Sequence, residues 1–181
     1  YSSTQHPSEV QTKVAETLAV PKGKVVVTCP RMGGGFGGKE TQAGPLAQLA
    51  ALASWQTGRP VRLRYTRDED MKRTGNRHDW YSRYKAGFSA DGRLLALEVD
   101  TVSNGGCSLD LSRSILQRCL FHLDNCYDIP NYHLQGRIAR THLPSNTAFR
   151  GFGGPQGMLV IENIMTHAAE VIGQDPWNLR A

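Results

Sequence analysis

The run Met32-Gly33-Gly34-Gly35-Phe36-Gly37-Gly38-Lys39-Glu40 constrains this chain more than any other segment. Five glycines fill six positions, and Phe36 alone interrupts them. Glycine reaches φ > 0 without a steric penalty and lets backbone approach where a side chain would not fit. A second copy of the device lies downstream, in Asn146-Thr147-Ala148-Phe149-Arg150-Gly151-Phe152-Gly153-Gly154-Pro155-Gln156-Gly157. Both contain Phe-Gly-Gly, and both run into an apolar helical pattern. Two such loops in one short chain point to a pocket clasped from two sides.

The segments around the loops alternate between helical and strand patterns. Pro7 suits the first position of a helix whose apolar stripe is Val10, Val14 and Leu18. Pro21-Lys22-Gly23 breaks it, and the β-branched run Lys24 to Thr28 is expected to be a short strand. Leu46 to Ala53 reads as a buried helix that Gly58 terminates, and Val61 to Tyr65 as another strand. Arg67 to Arg77 is charged and reads as a solvated turn or short helix. Tyr81 to Phe88 and Leu94 to Val102 alternate around Asp91-Gly92, the signature of an antiparallel hairpin. Ile115 to Leu123 is expected to be a helix with Ile115, Cys119, His122 and Leu123 on one face. Tyr132 to Thr141 follows as a strand. Pro155 opens a long helix whose Leu159, Ile161, Ile164, Met165, Ala168 and Ile172 recur near the helical period. Asp175-Pro176 reads as the cap and first residue of one more. The expected class is α+β, with mixed sheets, antiparallel hairpins and packed helices.

Length allows one compact core or two small lobes of one unit in 181 residues. The start at Tyr1 and the stop just inside a new helix suggest a piece of a longer protein. No apolar run approaches the ~20 residues needed to span a membrane, and no signal-peptide pattern opens the chain. The net charge is +5. The basic residues are scattered, without a Lys/Arg run or an aromatic stripe, which disfavours nucleic acid as a partner. Cys29, Cys107, Cys119 and Cys126 fit neither a zinc pattern nor a disulfide framework, so buried free thiols in a reducing, cytoplasmic setting are expected. The histidines form no metal-ligand spacing, which argues against direct metal ligation by protein side chains.

Two familiar glycine motifs fail on chemistry. Gly33, Gly35 and Gly38 fit Gly-x-Gly-x-x-Gly, but Cys29-Pro30-Arg31-Met32 separates strand from loop, and no acidic residue lies about 20 positions on. Gly33, Gly38 and Lys39 fit the start of a phosphate-binding loop, but Glu40 stands where a Ser or Thr must meet Mg²⁺. A large cofactor that accepts backbone N–H bonds from both loops fits better. Phe36, Phe149 and Phe152 then offer aromatic faces for a flat substrate. Glu40 and Arg150, at the loop edges, can orient a polar heterocycle.

The two loops together resemble the molybdenum hydroxylases, the xanthine dehydrogenase and aldehyde oxidase family. The likeness extends to Tyr1-Ser2-Ser3-Thr4-Gln5-His6-Pro7, Thr57-Gly58-Arg59-Pro60-Val61-Arg62, Arg67-Asp68-Glu69-Asp70-Met71 and Ser114-Ile115-Leu116-Gln117-Arg118. It also covers Leu143 through Gly157, and so residues 1–181 resemble a fragment of that family's molybdopterin-binding domain or subunit. The resemblance implies oxidation of hypoxanthine or xanthine to urate with water as oxygen source; aldehyde or other N-heterocycle oxidation is the alternative. It implies a molybdenum–molybdopterin cofactor contacted by Gln5, Phe36 and Arg150 without direct protein ligation of the metal, and by the glycine loop at Gly35 and Gly37. Glu40 and Arg118 match a purine-orienting catalytic pair, and Phe149 and Phe152 match two phenylalanines that sandwich the substrate. The resemblance also implies [2Fe-2S] clusters and FAD on other domains or subunits, NAD as electron acceptor, and an oligomeric full enzyme. The general base is expected beyond Ala181, so the piece alone is expected to be inactive.

Overall fold

The computed structural model describes residues 1–180. It divides the chain into two compact units. The first comprises Tyr1–Arg77 with Leu143–Arg150; the second comprises His78–His142 and the chain from Gly151 onward.

The first unit is built on helix α1 (Pro7–Thr17) and helix α2 (Ala43–Thr57). Proline opens α1 as expected, because its missing N–H would have no intrahelical partner there. Val10, Val14 and Ala15 form its buried face. Gln48 Nε2 donates to Thr17 Oγ1 at 2.8 Å and ties the two helices together. Gly58, in the left-handed region, ends α2 as expected. The expectation that α2 is buried is overturned. Only Gly44 is buried in it, while Leu49 and Trp55 are 55% and 65% exposed. An apolar composition measures what a helix can bury, not what lies beside it. Helix α3 (Arg67–Arg73) is the short solvated helix, closed by a reciprocal capping box between Thr66 and Glu69.

The strands expected at Lys24 to Thr28 and Val61 to Tyr65 are not formed. Lys22–Lys24 is a 3₁₀ turn, and the extended residues after it join no ladder among the described residues. Their carbonyls are satisfied singly: Val25 O by Gln11 Nε2 at 2.7 Å and Thr28 O by Ser2 N at 3.0 Å. β-branched composition favours an extended backbone, but a strand exists only where a second strand supplies the ladder.

The second unit holds one three-stranded sheet in the order β1-β2-β3, with β1 Trp80–Phe88, β2 Leu94–Gly106 and β3 Asn131–Arg140. β1 and β2 form the antiparallel hairpin expected from Asp91-Gly92, in the register Tyr81↔Val102. β3 pairs parallel to β2, so the sheet is mixed and the chain is α+β. The parallel connection carries helix α4 (Ser112–Phe121). Helix α5 (Gly154–Ile172) packs on α4 and β1. The core joins Leu94, Leu97 and Val99 of β2 to Leu123 and to Ile161, Ile164 and Met165 of α5. The expected α5 stripe holds at those last three positions, but Leu159 points outward at 62% exposure. Helix α6 (Pro176–Arg180) begins as expected, with Asp175 Oδ1 accepting from Trp177 N at 2.8 Å. Its Arg180 bonds Glu162 on α5 at 2.9 Å.

No cysteine is in a disulfide, but Cys119 alone is buried, and Cys107 and Cys126 are exposed. Burial pushes the Cys119 thiol up to about 12, so it stays protonated and inert. No helix among the described residues is long and apolar enough to cross a membrane.

Candidate functional site

The first glycine loop is organised around Gln5. Its side-chain oxygen accepts from Gly37 N at 2.8 Å and from Lys39 N at 3.3 Å. Gln5 N in turn donates to Lys39 O at 2.9 Å. Two backbone donors on the oxygen fix the amide's orientation, so Nε2 is the end left to donate elsewhere. Gly35 makes room for this: a Cβ there would meet Gln5 Oε1 at 2.3 Å. The loop also bonds itself, through Gly38 N to Gly35 O at 2.8 Å and Glu40 N to Gly37 O at 3.1 Å.

The opening half of the second loop lies against the first, within the same unit. Gly37 has φ +94, and a Cβ on it would sit 3.0 Å from the carbonyl of Ala148. Glycine alone among the amino acids tolerates that backbone together with that approach. Thr41 Oγ1 and Thr147 Oγ1 are 3.2 Å apart and add a hydroxyl contact. The sequence expectation that the two loops converge therefore holds for Gly33–Glu40 and Ser145–Arg150. It places Gln5, Gly35, Phe36, Gly37, Glu40, Phe149 and Arg150 together on the first unit.

Phe36 sits at φ +54 and is 63% exposed. Phe152, the aromatic of the second Phe-Gly-Gly, has the matching φ of +53. A left-handed backbone costs a non-glycine residue about 1–2 kcal/mol, and such strain concentrates at ligand clamps and active sites. Phe149 is 44% exposed. The Glu40 carboxylate has His6 Nε2 at 3.9 Å, an ion pair whenever that imidazole is protonated.

Arg118 and Phe152 lie on the second unit. Arg118 projects from α4, exposed to solvent. Phe152 precedes Gly153, whose Cβ would meet Ile115 O at 2.1 Å and Cys119 N at 3.1 Å. One turn later, a Cβ on Gly157 would meet Cys119 O at 2.3 Å. The start of α5 thus lies backbone-to-backbone on the turn of α4 that carries Arg118, which fixes Phe152 relative to that turn.

Sequence reasoning missed Arg77 and His78. Arg77 Nη2 donates to Arg150 O at 2.7 Å, and its guanidinium lies 4.7 Å from the centre of the Phe149 ring. His78 is 4% exposed and bonds Ser112 Oγ, the first residue of α4, at 2.7 Å. Burial holds the imidazole below its ordinary pKa, against the opposing pull of Asp110 and Asp79. The only signal in the sequence was an arginine and a histidine closing a charged stretch.

A family model described as a molybdopterin cofactor-binding domain matches residues 1–181. The chain is 54% identical over 173 residues to a xanthine dehydrogenase/oxidase of Felis catus, covering 96% of this chain and 13% of that protein. It is 48% identical over 179 residues to a xanthine dehydrogenase of Oryza sativa subsp. japonica, covering 99% of this chain and again 13% of the relative. The chain therefore spans about an eighth of the length of these relatives. Among solved structures, quinoline 2-oxidoreductase from Pseudomonas putida 86 superimposes with a TM-score of 0.84 at 28% identity, over 98% of this chain and 23% of that one. Aldehyde oxidoreductase from Desulfovibrio gigas superimposes with a TM-score of 0.83 at 34% identity, over 94% of this chain and 18% of that one.

Proposed function

Because the chain belongs to the molybdopterin cofactor-binding domain family, we propose that it forms part of a molybdenum hydroxylase that oxidises hypoxanthine and xanthine to urate. The observation that carries this reading is the Gln5 clasp. Gly37 and Lys39 occupy the amide oxygen, which turns the NH₂ into a fixed donor beside a glycine loop. That donor set suits an oxygen-rich, anionic cofactor. On this reading the metal would arrive on its pterin.

Gln5 would hold the centre through its NH₂, and Phe36 and Arg150 through their backbone. Gly35 and Gly37 serve by shaping the loop: one leaves space for Gln5, the other lets Ala148 approach. When bound, the cofactor supplies two-electron oxidation of an electron-poor ring carbon, with water as the oxygen source. Negative charge builds on the heterocycle during that oxidation. A guanidinium such as Arg118 stabilises it more in the transition state than in the ground state. Glu40 accepts from ring N–H groups and favours one tautomer. Phe149 and Phe152 each offer an aromatic face to a flat ring.

The reading includes the partners that the sequence resemblance implies. Iron–sulfur clusters and FAD lie on other domains or subunits, NAD accepts the electrons, the full enzyme is an oligomer, and it works in cytoplasmic purine metabolism. Relatives named as xanthine dehydrogenases at 48–54% identity support the purine assignment. The 34% identical aldehyde oxidoreductase makes aldehyde oxidation the second reading. Molybdenum and pterin analysis of the purified full-length protein tests the cofactor assignment: stoichiometric metal supports it, and a metal-free protein from molybdate-supplied cells refutes it.

A further inference from the structure

We propose that Lys39 is a positioning residue: its ammonium straps the two ends of the first glycine loop together and so presets the Gln5 amide before a cofactor binds. This rests on the reading that Gln5 and the loop serve the cofactor.

The loop is hard to hold in one shape. Gly33, Gly34, Phe36 and Gly37 have φ of +69, +99, +54 and +94. Glycine loses more conformational freedom on ordering than any other residue. The loop's own backbone bonds, Gly38 N to Gly35 O and Glu40 N to Gly37 O, lie in its second half. A side chain ties the first half. Lys39 Nζ donates to Met32 O at 2.5 Å, across the whole glycine run, and to Ser3 Oγ at 2.9 Å. Ser3 Oγ donates in turn to Met32 O at 3.1 Å. The three groups close a small triangle at the mouth of the loop.

The backbone of the same residue holds Gln5. Lys39 N donates to Gln5 Oε1 at 3.3 Å, and Lys39 O accepts from Gln5 N at 2.9 Å and from Thr4 Oγ1 at 3.2 Å. Thr4 is 2% exposed, so this side of the clasp is shut off from water. Lys39 therefore touches Ser3, Thr4 and Gln5 in succession. Its side chain sets the start of the loop against its end, and its main chain sets the end against the amide.

A lysine after a glycine run invites comparison with a phosphate grip. Here the charge is turned inward, because two of its three donors are spent on Met32 and Ser3. A charged donor makes a stronger bond to a carbonyl than a neutral one does. That strength suits a strap on a loop with so little stiffness of its own.

The test uses the full-length protein and its Lys39→Met, Lys39→Arg, Ser3→Ala and Gln5→Met variants. Hydrogen exchange is read on molybdenum-free protein, from cells given no molybdate. Molybdenum content and the electron paramagnetic resonance of the reduced metal centre are read on protein from molybdate-supplied cells. Lys39→Met is expected to speed exchange in residues 33–40 by about tenfold and to leave α1 within about twofold. Lys39→Arg is expected to do the same, since a planar fork places its donors differently. Ser3→Ala, at an exposed position, is expected to speed the same segment about threefold and keeps the test open where Lys39→Met does not fold. In loaded sites, Lys39→Met is expected to shift the resonance in the same sense as Gln5→Met, and the double variant to add little. Unchanged exchange in residues 33–40, or equal acceleration in α1, would overturn the inference. So would a wild-type resonance in the loaded sites of Lys39→Met, which marks a merely structural residue. Arginine restoring molybdenum content while the loop still exchanges fast would also overturn it, by showing a charge that acts on the cofactor directly. A wild-type protein that takes up no molybdenum would instead overturn the functional reading beneath it.

Discussion

The side-chain oxygen of Gln5 accepts the backbone N–H of Gly37 at 2.8 Å, across 32 positions of sequence. This bond joins the entry to α1 with the first glycine loop and leaves the Gln5 NH₂ free to act. Two substitutions separate its roles. Gln5→Glu keeps the acceptor and loses both donors, so the loop is expected to hold while molybdenum content falls. Gln5→Met leaves Gly37 and Lys39 without their acceptor and is expected to cost about 1 to 3 kcal/mol. Thermal unfolding and metal analysis of the full-length variants distinguish the two patterns.

Gly153 is expected to be among the least replaceable residues of the second unit. It has φ +100, and a Cβ would lie 2.1 Å from Ile115 O. Left-handed strain and overpacking against rigid backbone add, so Gly153→Ala is expected to destabilise by on the order of 3 kcal/mol. Gly23→Ala is the control. Nothing lies within 4 Å of its Cβ position, and a change within about 0.5 kcal/mol is expected. Denaturant titration reads both.

Acid is expected to loosen the second unit through His78. The unfolded chain takes up a proton near the ordinary value of 6.5, whereas the folded chain, with this imidazole desolvated, does so only at lower pH. Between those two points the unfolded state binds more protons. The contribution is therefore intact above the unfolded pKa and is lost as pH falls through the window below it. His78→Gln, which cannot titrate, is expected to flatten the slope of melting temperature against pH between 7 and 5. An unchanged slope would remove His78 from that role.

What was legible in the sequence was local. The Asp91-Gly92 hairpin, Pro7 at the start of α1, Gly58 at the end of α2 and Asp175-Pro176 before α6 each depend on a few neighbouring residues, and each stands where expected. The strands read at Lys24 to Thr28 and Val61 to Tyr65 failed because a ladder needs a second strand, which β-branched composition does not encode. The burial of α2 failed for the same kind of reason. At the site, the glycine loops announced themselves through composition. The bond from Arg77 did not, because its partner Arg150 lies 73 positions away and nothing in the spacing joins the two.

On the proposed function, Glu40 and Arg118 would carry the choice between the two substrate readings. In the full-length protein, Arg118→Leu is expected to lower kcat/KM for xanthine by about 10²–10³, the usual loss for one charged contact to a developing anion. Glu40→Gln is expected to act in the same direction. Activity toward an aromatic aldehyde, which has no ring N–H groups to orient, is expected to change far less. Steady-state kinetics with both substrates measures this directly.

The most direct measurement of the proposed function is the ratio of kcat/KM for xanthine to that for benzaldehyde in the full-length wild-type protein with its partner domains or subunits. A preference for xanthine of about 10² or more, the scale of one charged contact, is the expected result. A preference for the aldehyde would leave the family membership standing and would contradict the roles given to Glu40 and Arg118.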